Sequence, residues 1–401
     1  LISLNVNNEI NGHGFHSGSR FLFNRIFFLI YGNDILLKKY KAGLNEMSDQ
    51  TISPKQVIIV FMLSVGLVNH VMVIPVLLEV AGRDAWVSIL VTAILYTIWL
   101  FFLYRIIKKM NGQTFFEWVS QRMGRFIAWA FCIMIALFLF LMMSVTIKDT
   151  LTWTITSYFP QTPIFILSLL FIFIAYICVS SNIQSLAIAA GVILFFVVIL
   201  GFFVMTTNFL YKDYTRLFPI FEKGMLPMLR GVAYSAGGLV ELALLIFLQQ
   251  RIKPTIQFKN IWILGMILVG LTLGPLMGSI TIFNVSEAVN QRYPAYEQWR
   301  MLQIGKYISH VDFFSIYQWL SGSLIRVCFI LFVIVDLFPL QMPYQKWLLR
   351  ITCVFLVMVS LIPIGDAQFY EFVRHIYFPM SLCFFITLSV FIGLLTITKK
   401  G

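Results

Sequence analysis

The chain has 401 residues, 60% of them hydrophobic and 11% charged, with 40 phenylalanines and a mean hydropathy of +0.88. Soluble domains carry about 25% charged residues, so a water-soluble fold is excluded and a polytopic all-α membrane protein is expected. The net charge of +12 belongs with cytoplasmic loops in such a protein; no Lys/Arg-rich tract of the nucleic-acid-binding type is present, so no nucleic-acid partner is expected.

Residues 1–46 are rich in Asn and Gly. Their one apolar patch, Phe21 to Tyr31, is broken by Asn24 and Arg25 and is too short to span a bilayer. The character changes at Met47, where MSDQTISPKQ leads into the first strong span. The native start is therefore expected at Met47. Residues 1–46 read as an N-terminal extension, disordered or a product of the gene model, and 47–401 as the functional domain.

A window of about 20 apolar residues predicts ten spans, near 55–80, 85–104, 125–147, 163–180, 184–208, 226–248, 260–284, 313–338, 346–364 and 373–397. Arg105, Lys108, Lys109, Arg122, Arg125, Arg251, Lys253, Lys259, Lys346, Arg350, Lys399 and Lys400 then share one side. That side is expected to be cytoplasmic, with both termini inside. The stretch 106–125 mixes Phe115, Phe116 and Trp118 with polar residues, as an interfacial helix does. The stretch 292–310 reads as a short helix over the outer mouth. All five cysteines fall in apolar runs without metal-ligand spacing, and read as free packing thiols.

Ten spans divide as five plus five, so the second half enters the membrane from the opposite side. That predicts inverted repeats of about 53–208 and 226–398, with span one equivalent to span six. Both carry residues that disturb a helix: Ser64, Gly66, Asn69, His70 and Pro75 in span one, and GVAYSAGGLVE (Gly231 to Glu241) in span six. Adjacent glycines weaken a helix by about 1 kcal/mol each, and a carboxylate at membrane depth costs about 2.5 to 3.5 kcal/mol. Paired discontinuous helices are the sequence pointer to a transporter-type site. The plain alternative is close helix packing through glycine.

ISPKQ before span one, EVAGRDAWVSIL (Glu79 to Leu90) and RYPAYEQWRMLQIGKYISHVDFFSIYQW (Arg292 to Trp319) resemble the B subunit of spore germinant receptors. This is the endospore germination permease family of the amino acid–polyamine–organocation superfamily. The resemblance covers Met47 to Lys400. It implies a LeuT-like fold, the inner membrane of a bacterial endospore, and partnership with an A-type subunit and a lipoprotein C-type subunit. It also implies sensing of a small germinant such as an amino acid.

By position, it directs attention to Ser64 and Gly66 in span one and to Tyr234, Ser235, Gly237 and Gly238 in span six as ligand-binding residues. Glu241 faces the cavity in this reading and receives a cation, titrates, or locks the bundle through Arg326, the one basic residue deep in span eight. Ser144, Thr146 and Lys148 in span three and Tyr317, Ser321 and Ser323 in span eight are candidates to complete the site. His70 is either a pH-sensitive group or a helix-interface residue. No nucleotide loop, catalytic triad or metal cluster is visible, so no enzyme activity, cofactor or metal site is expected. The leading function is a germinant-receptor subunit. The alternatives are a secondary amino acid permease driven by protons or sodium, and a scaffold with a vestigial cavity.

Overall fold

The computed structural model describes residues 51–303 and 310–397; the expected start at Met47 and the segment 1–46 lie outside them. Among the described residues, eight helical segments are long and apolar enough to cross a membrane, and the chain is a multi-pass membrane protein. The first of them, Pro54–Met110, runs for 57 residues but turns at Gly82, whose φ of 56° suits glycine.

Local sequence sets the element ends. α1 (Pro54–Leu67) opens on a capping box, with Ser53 N–H donating to Gln56 Oε1 at 2.8 Å and Gln56 N–H to Ser53 Oγ at 3.4 Å. Pro54 occupies the first turn, where its missing N–H is no loss. A π-helical turn, Val68–Met72, carries the chain into α2 (Val73–Ala81). α3 (Ala85–Met110) and α4 (Phe115–Met123) follow, and Thr114 and Glu117 form a second capping box before α4. α4, in the stretch read as an interfacial helix, packs along α5 and buries Phe115, Phe116 and Trp118 against protein.

Next come α5 (Arg125–Ser157), α6 (Ile164–Ser181), α7 (Ile183–Thr207) and α8 (Met225–Leu239). α8 tightens into a 3-10 segment, Val240–Leu244, before the short α9 (Leu245–Leu248). α10 (Phe258–Phe283), α11 (Val285–Ala288), α12 (Pro294–Arg300), α13 (Phe313–Leu337) and α14 (Met342–Ser360) complete the middle of the chain. α15 (Asp366–Phe372) passes through a second π-helical turn, Val373–Tyr377, into α16 (Phe378–Leu395). The expected spans fall on these helices; the third, expected to end near 147, runs on to Ser157.

The breaks expected at Ser64–Gly66 and Ser235–Gly238 are displaced. Both stretches are α-helical, and the helix changes type one turn later, at Val68 and at Val240. Neighbouring helices offset the weak helix propensity of glycine by closing on it. A Cβ on Gly237 would lie 2.8 Å from Phe378 O, and one on Gly238 would lie 2.6 Å from Asn69 Oδ1. The glycines thus serve close approach.

α1, α2, α3, α8, α10 and α13 pack on one another, with α5 and α16 closing the group. In the most apolar window of Met225–Arg251, 78% of the residues are buried, against 11% for Ile183–Tyr211. Helix α7 is therefore peripheral, and its exposed Phe195, Phe196 and Phe202 suit lipid rather than water. A parallel bridge ties the start of α1 to the end of the α8–α9 segment: Ile52 N–H donates to Arg251 O at 2.8 Å and Lys253 N–H to Ile52 O at 3.1 Å.

Candidate functional site

Five helical segments deliver polar groups to one dry point. Arg326 on α13 and Glu241 in the 3-10 segment are both fully buried. The guanidinium meets the carboxylate with two prongs, Nη1 to Oε2 at 2.6 Å and Nη2 to Oε1 at 3.0 Å. Nη1 also donates to Ser64 O at 3.1 Å, Nη2 to Tyr377 Oη at 3.4 Å, and Nε to Thr146 Oγ1 at 2.8 Å. All five N–H hydrogens of the side chain thus have an acceptor. Tyr377 in turn donates to Glu241 Oε1 at 2.9 Å. An ion pair removed from water persists only with this degree of satisfaction.

The turn before Glu241 is held as closely. Gly237 O accepts from Ser381 Oγ at 3.0 Å, Gly238 O from Asn69 Nδ2 at 3.2 Å, and Leu239 O from Tyr96 Oη at 2.8 Å. Three successive carbonyls of α8 therefore bind side chains from three other helices, just where the helix tightens. Ser64 Oγ, Ser235 Oγ and Asn69 Oδ1 are buried nearby in sequence without a hydrogen-bond partner.

A cavity of about 600 Å³ lies on the opposite side of α1, bounded by α7, α10, α12 and α13. Gly66 and His70 belong to its wall; Glu241, Arg326, Tyr234, Ser235, Gly237 and Gly238 do not. Proline chemistry shapes the polar part. Pro275, inside α10, has no N–H for Leu271 O. His70 Nδ1 lies 3.2 Å from that carbonyl, and because a carbonyl only accepts, Nδ1 carries the hydrogen. Gln298 on α12 donates through Nε2 to Pro275 O at 2.9 Å and to Ser279 Oγ at 2.9 Å.

The remaining predicted residues stay with their own helices. Ser144 Oγ donates to Phe140 O at 2.9 Å and Ser323 Oγ to Leu320 O at 3.0 Å, while Ser321 Oγ bonds Tyr317 O. Tyr317 is an exposed side chain. Lys148 Nζ donates to Ile362 O at 3.2 Å. Ser144, Tyr317 and Ser321 thus do not join the buried polar group, and Thr146 does. Tyr377 was missed; its signal was the polar pair Arg374–His375 inside an apolar span, where the π turn forms. Pro275 was the unread signal for the cavity.

A second charged cluster sits at the α12 end of the bundle. Arg292 pairs with Asp149 at 2.8 Å and with Asp366 at 3.3 Å, and its guanidinium lies over the rings of Tyr293 and Tyr370, 4.5 and 5.1 Å from their centroids. Tyr370 donates to Glu79 Oε2 at 2.8 Å, and Glu79 pairs with Arg374 at 2.5 Å. Burial and the neighbouring carboxylate of Asp149 hold the Tyr293 phenol well above its usual range.

A family model described as spore germination protein matches residues 51–369. Spore germination protein XB of Bacillus anthracis is 40% identical over 329 residues, covering 81% of this chain and 92% of that protein. The putative spore germination protein YfkT of Bacillus subtilis is 24% identical over 279 residues, covering 69% of this chain and 75% of its own length. Spore germination protein KB of the same organism is 22% identical over 265 residues, covering 64% and 70%.

Proposed function

The chain belongs to the family of spore germination proteins, and from that membership we propose that it is the B-type membrane subunit of a germinant receptor, binding a small germinant and starting germination. The observation that carries this reading is the position of α1 and its π turn. Gly66 and His70 bound the cavity. Ser64 O and Asn69, on the same stretch, reach Arg326 and Gly238. A molecule that fills the cavity and prefers one position of this stretch biases the contacts of α5, α8, α13 and α16. Only such a preference shifts a conformational balance.

In this reading the chain makes ten spans. Pro54–Met110 counts as two because it turns at Gly82, and Met342–Ser360 joins the eight apolar segments. The five-plus-five inverted, LeuT-like arrangement is supported by the matched irregular turns that follow Ser64-Val65-Gly66 and Ser235-Ala236-Gly237. The Lys/Arg pattern supports cytoplasmic termini. The site of action is the inner membrane of the endospore, and the partners are an A-type subunit and a lipoprotein C-type subunit. The family is not an enzyme family.

Spores lacking this subunit, challenged with a panel of small germinants, are expected to lose the response to one germinant or one chemical group of them. Retention of every response overturns the reading. The same fold would serve a proton- or sodium-coupled permease; saturable, ion-dependent uptake of labelled solute by the purified chain in liposomes would favour that instead.

A further inference from the structure

All five cysteines sit in apolar segments, and two of them meet. Cys178 is on α6, one turn before its end at Ser181, and Cys328 is on α13, two residues after Arg326. Their thiols hydrogen-bond to each other across the two helices. Cys328 Sγ also lies 3.9 Å from Ala175 O, so it rests on the α6 backbone one turn before Cys178. Ala175 is fully buried there and offers only a methyl group, which lets the helices approach. The contact joins a peripheral helix to a central one: 17% of the most apolar window of α6 is buried, against 67% for α13.

The two thiols are not equivalent. Cys328 is buried and Cys178 is half-buried. Ser180 and Ser181, just beyond Cys178, are exposed, and Tyr176 Oη accepts from Arg350 Nε at 3.5 Å. Polar groups therefore surround this end of α6, and a small neutral oxidant meets Cys178 first. The other sulfurs are placed differently. Cys132 donates to Leu337 O at 3.6 Å, and Cys383 is exposed on α16. Cys353 on α14 is buried and interacts electrostatically with Cys328, which makes it the rival partner.

We propose that Cys178 and Cys328 form a reversible dithiol–disulfide modification site, closed by a hydroperoxide, that clamps α13 to α6 beside Arg326. With hydrogen peroxide, the Cys178 sulfur attacks one oxygen, the O–O bond breaks, and a sulfenic acid and one water result. The Cys328 sulfur then attacks the Cys178 sulfur. The S–O bond breaks, and the hydroxyl leaves with the Cys328 proton as a second water. Each sulfur gives up one electron, and the two peroxide oxygens take them. Two molecules of a small thiol reopen the bond through a mixed disulfide and leave as their own disulfide.

Cys328 and Arg326 are about 3 Å apart along the axis of α13. The closed site thus fixes the central helix at the level where the guanidinium meets Glu241. The chemistry stands apart from the germinant-receptor reading. In the ten-span arrangement this end of α6 is cytoplasmic, where thiols rest reduced, so the open dithiol is the resting form. The plain alternative is a pair of packing thiols that never join.

The test uses the full chain in nanodiscs of phosphatidylethanolamine and phosphatidylglycerol. The chain is oxidised with a small molar excess of hydrogen peroxide, alkylated with N-ethylmaleimide in dodecyl sulfate, and mapped by mass spectrometry. A linked Cys178–Cys328 peptide is expected, lighter by two hydrogens than the sum of its parts. Two of the five thiols should escape alkylation, and dithiothreitol should restore both. Cys178→Ser and Cys178→Ala should give no linked peptide, whereas Cys353→Ser should leave the link intact. The oxidised chain should melt several degrees above the reduced chain, a difference that Cys178→Ser removes. Absence of the Cys178–Cys328 link in the folded chain, or a Cys328–Cys353 link in its place, overturns the site. Equal melting of the oxidised and reduced chains overturns the clamp. The wild-type map decides the site by itself if a variant misfolds.

Discussion

Thr146 and Asp149 stand one turn apart on α5 and serve two different arginines. Thr146 accepts from Arg326 at 2.8 Å in the dry centre, and Asp149 pairs with Arg292 at 2.8 Å at the α12 end. Two other elements also touch both tiers. The α1–α2 segment does so through Ser64 O and Glu79, and the second π turn through Tyr377 and Arg374. The α12 anchor and the buried pair therefore share three helical supports.

The central pair should be costly to break singly and cheap to replace whole. Glu241→Gln or Arg326→Met leaves a buried charge alone, and each should cost about 3 to 5 kcal/mol of stability. Glu241→Met combined with Arg326→Met should recover most of that loss. Thermal unfolding of the detergent-solubilised chain measures all three variants; losses that simply add across the cycle would exclude a locking pair.

Glycine positions should divide by what stands opposite. Gly237→Ala pushes a methyl towards the Phe378 carbonyl, 2.8 Å from the ideal Cβ, and should destabilise by about 1 to 3 kcal/mol. Gly270→Ala meets open space and should be neutral or stabilising by about 1 kcal/mol, because alanine favours the helix. Equal melting temperatures for the two variants would contradict the packing role assigned to Gly237.

Pro275→Ala restores an N–H that competes with His70 for Leu271 O. The helix should gain stability, by up to about 3 kcal/mol on intrinsic propensity. His70 loses its fixed orientation, so the spore response should require several-fold more germinant. A raised melting temperature with unchanged sensitivity would detach His70 from sensing.

Arg292→Lys keeps the charge but loses both the planar fork and the stacking on Tyr293 and Tyr370. The α12 region should exchange its amide hydrogens faster over 293–303 while the α8 core stays protected. Protection unchanged in both regions would mean that the Arg292 cluster holds nothing in place.

Helix positions were legible in the sequence because apolar runs of bilayer length have few other solutions. The Glu241–Arg326 pair was legible for a related reason: two opposite charges at membrane depth need each other. The site itself was less so. Two glycines and a serine read as a break, yet Phe378 and Asn69 pack so closely that α8 stays helical through them and yields only at Val240. Tyr377 and Thr146 reach Arg326 from helices whose rotation no single sequence fixes. Gly270 and Gly274 look in the sequence like packing glycines of the same kind as Gly237. Only the absence of a neighbour separates them.

The shell around Arg326 has a consequence for synthesis. A membrane chain is inserted from its N-terminus, so Glu241 enters the bilayer 85 residues before its arginine has been made. Tyr377, which caps the pair, follows 51 residues after that. Until then the carboxylate has neither its cation nor its phenol, and the nascent bundle presents an unmet acid to the insertion machinery. Chains truncated between Glu241 and Arg326 should therefore be degraded in the membrane faster than chains that extend past Tyr377, which pulse-chase labelling of the two lengths measures.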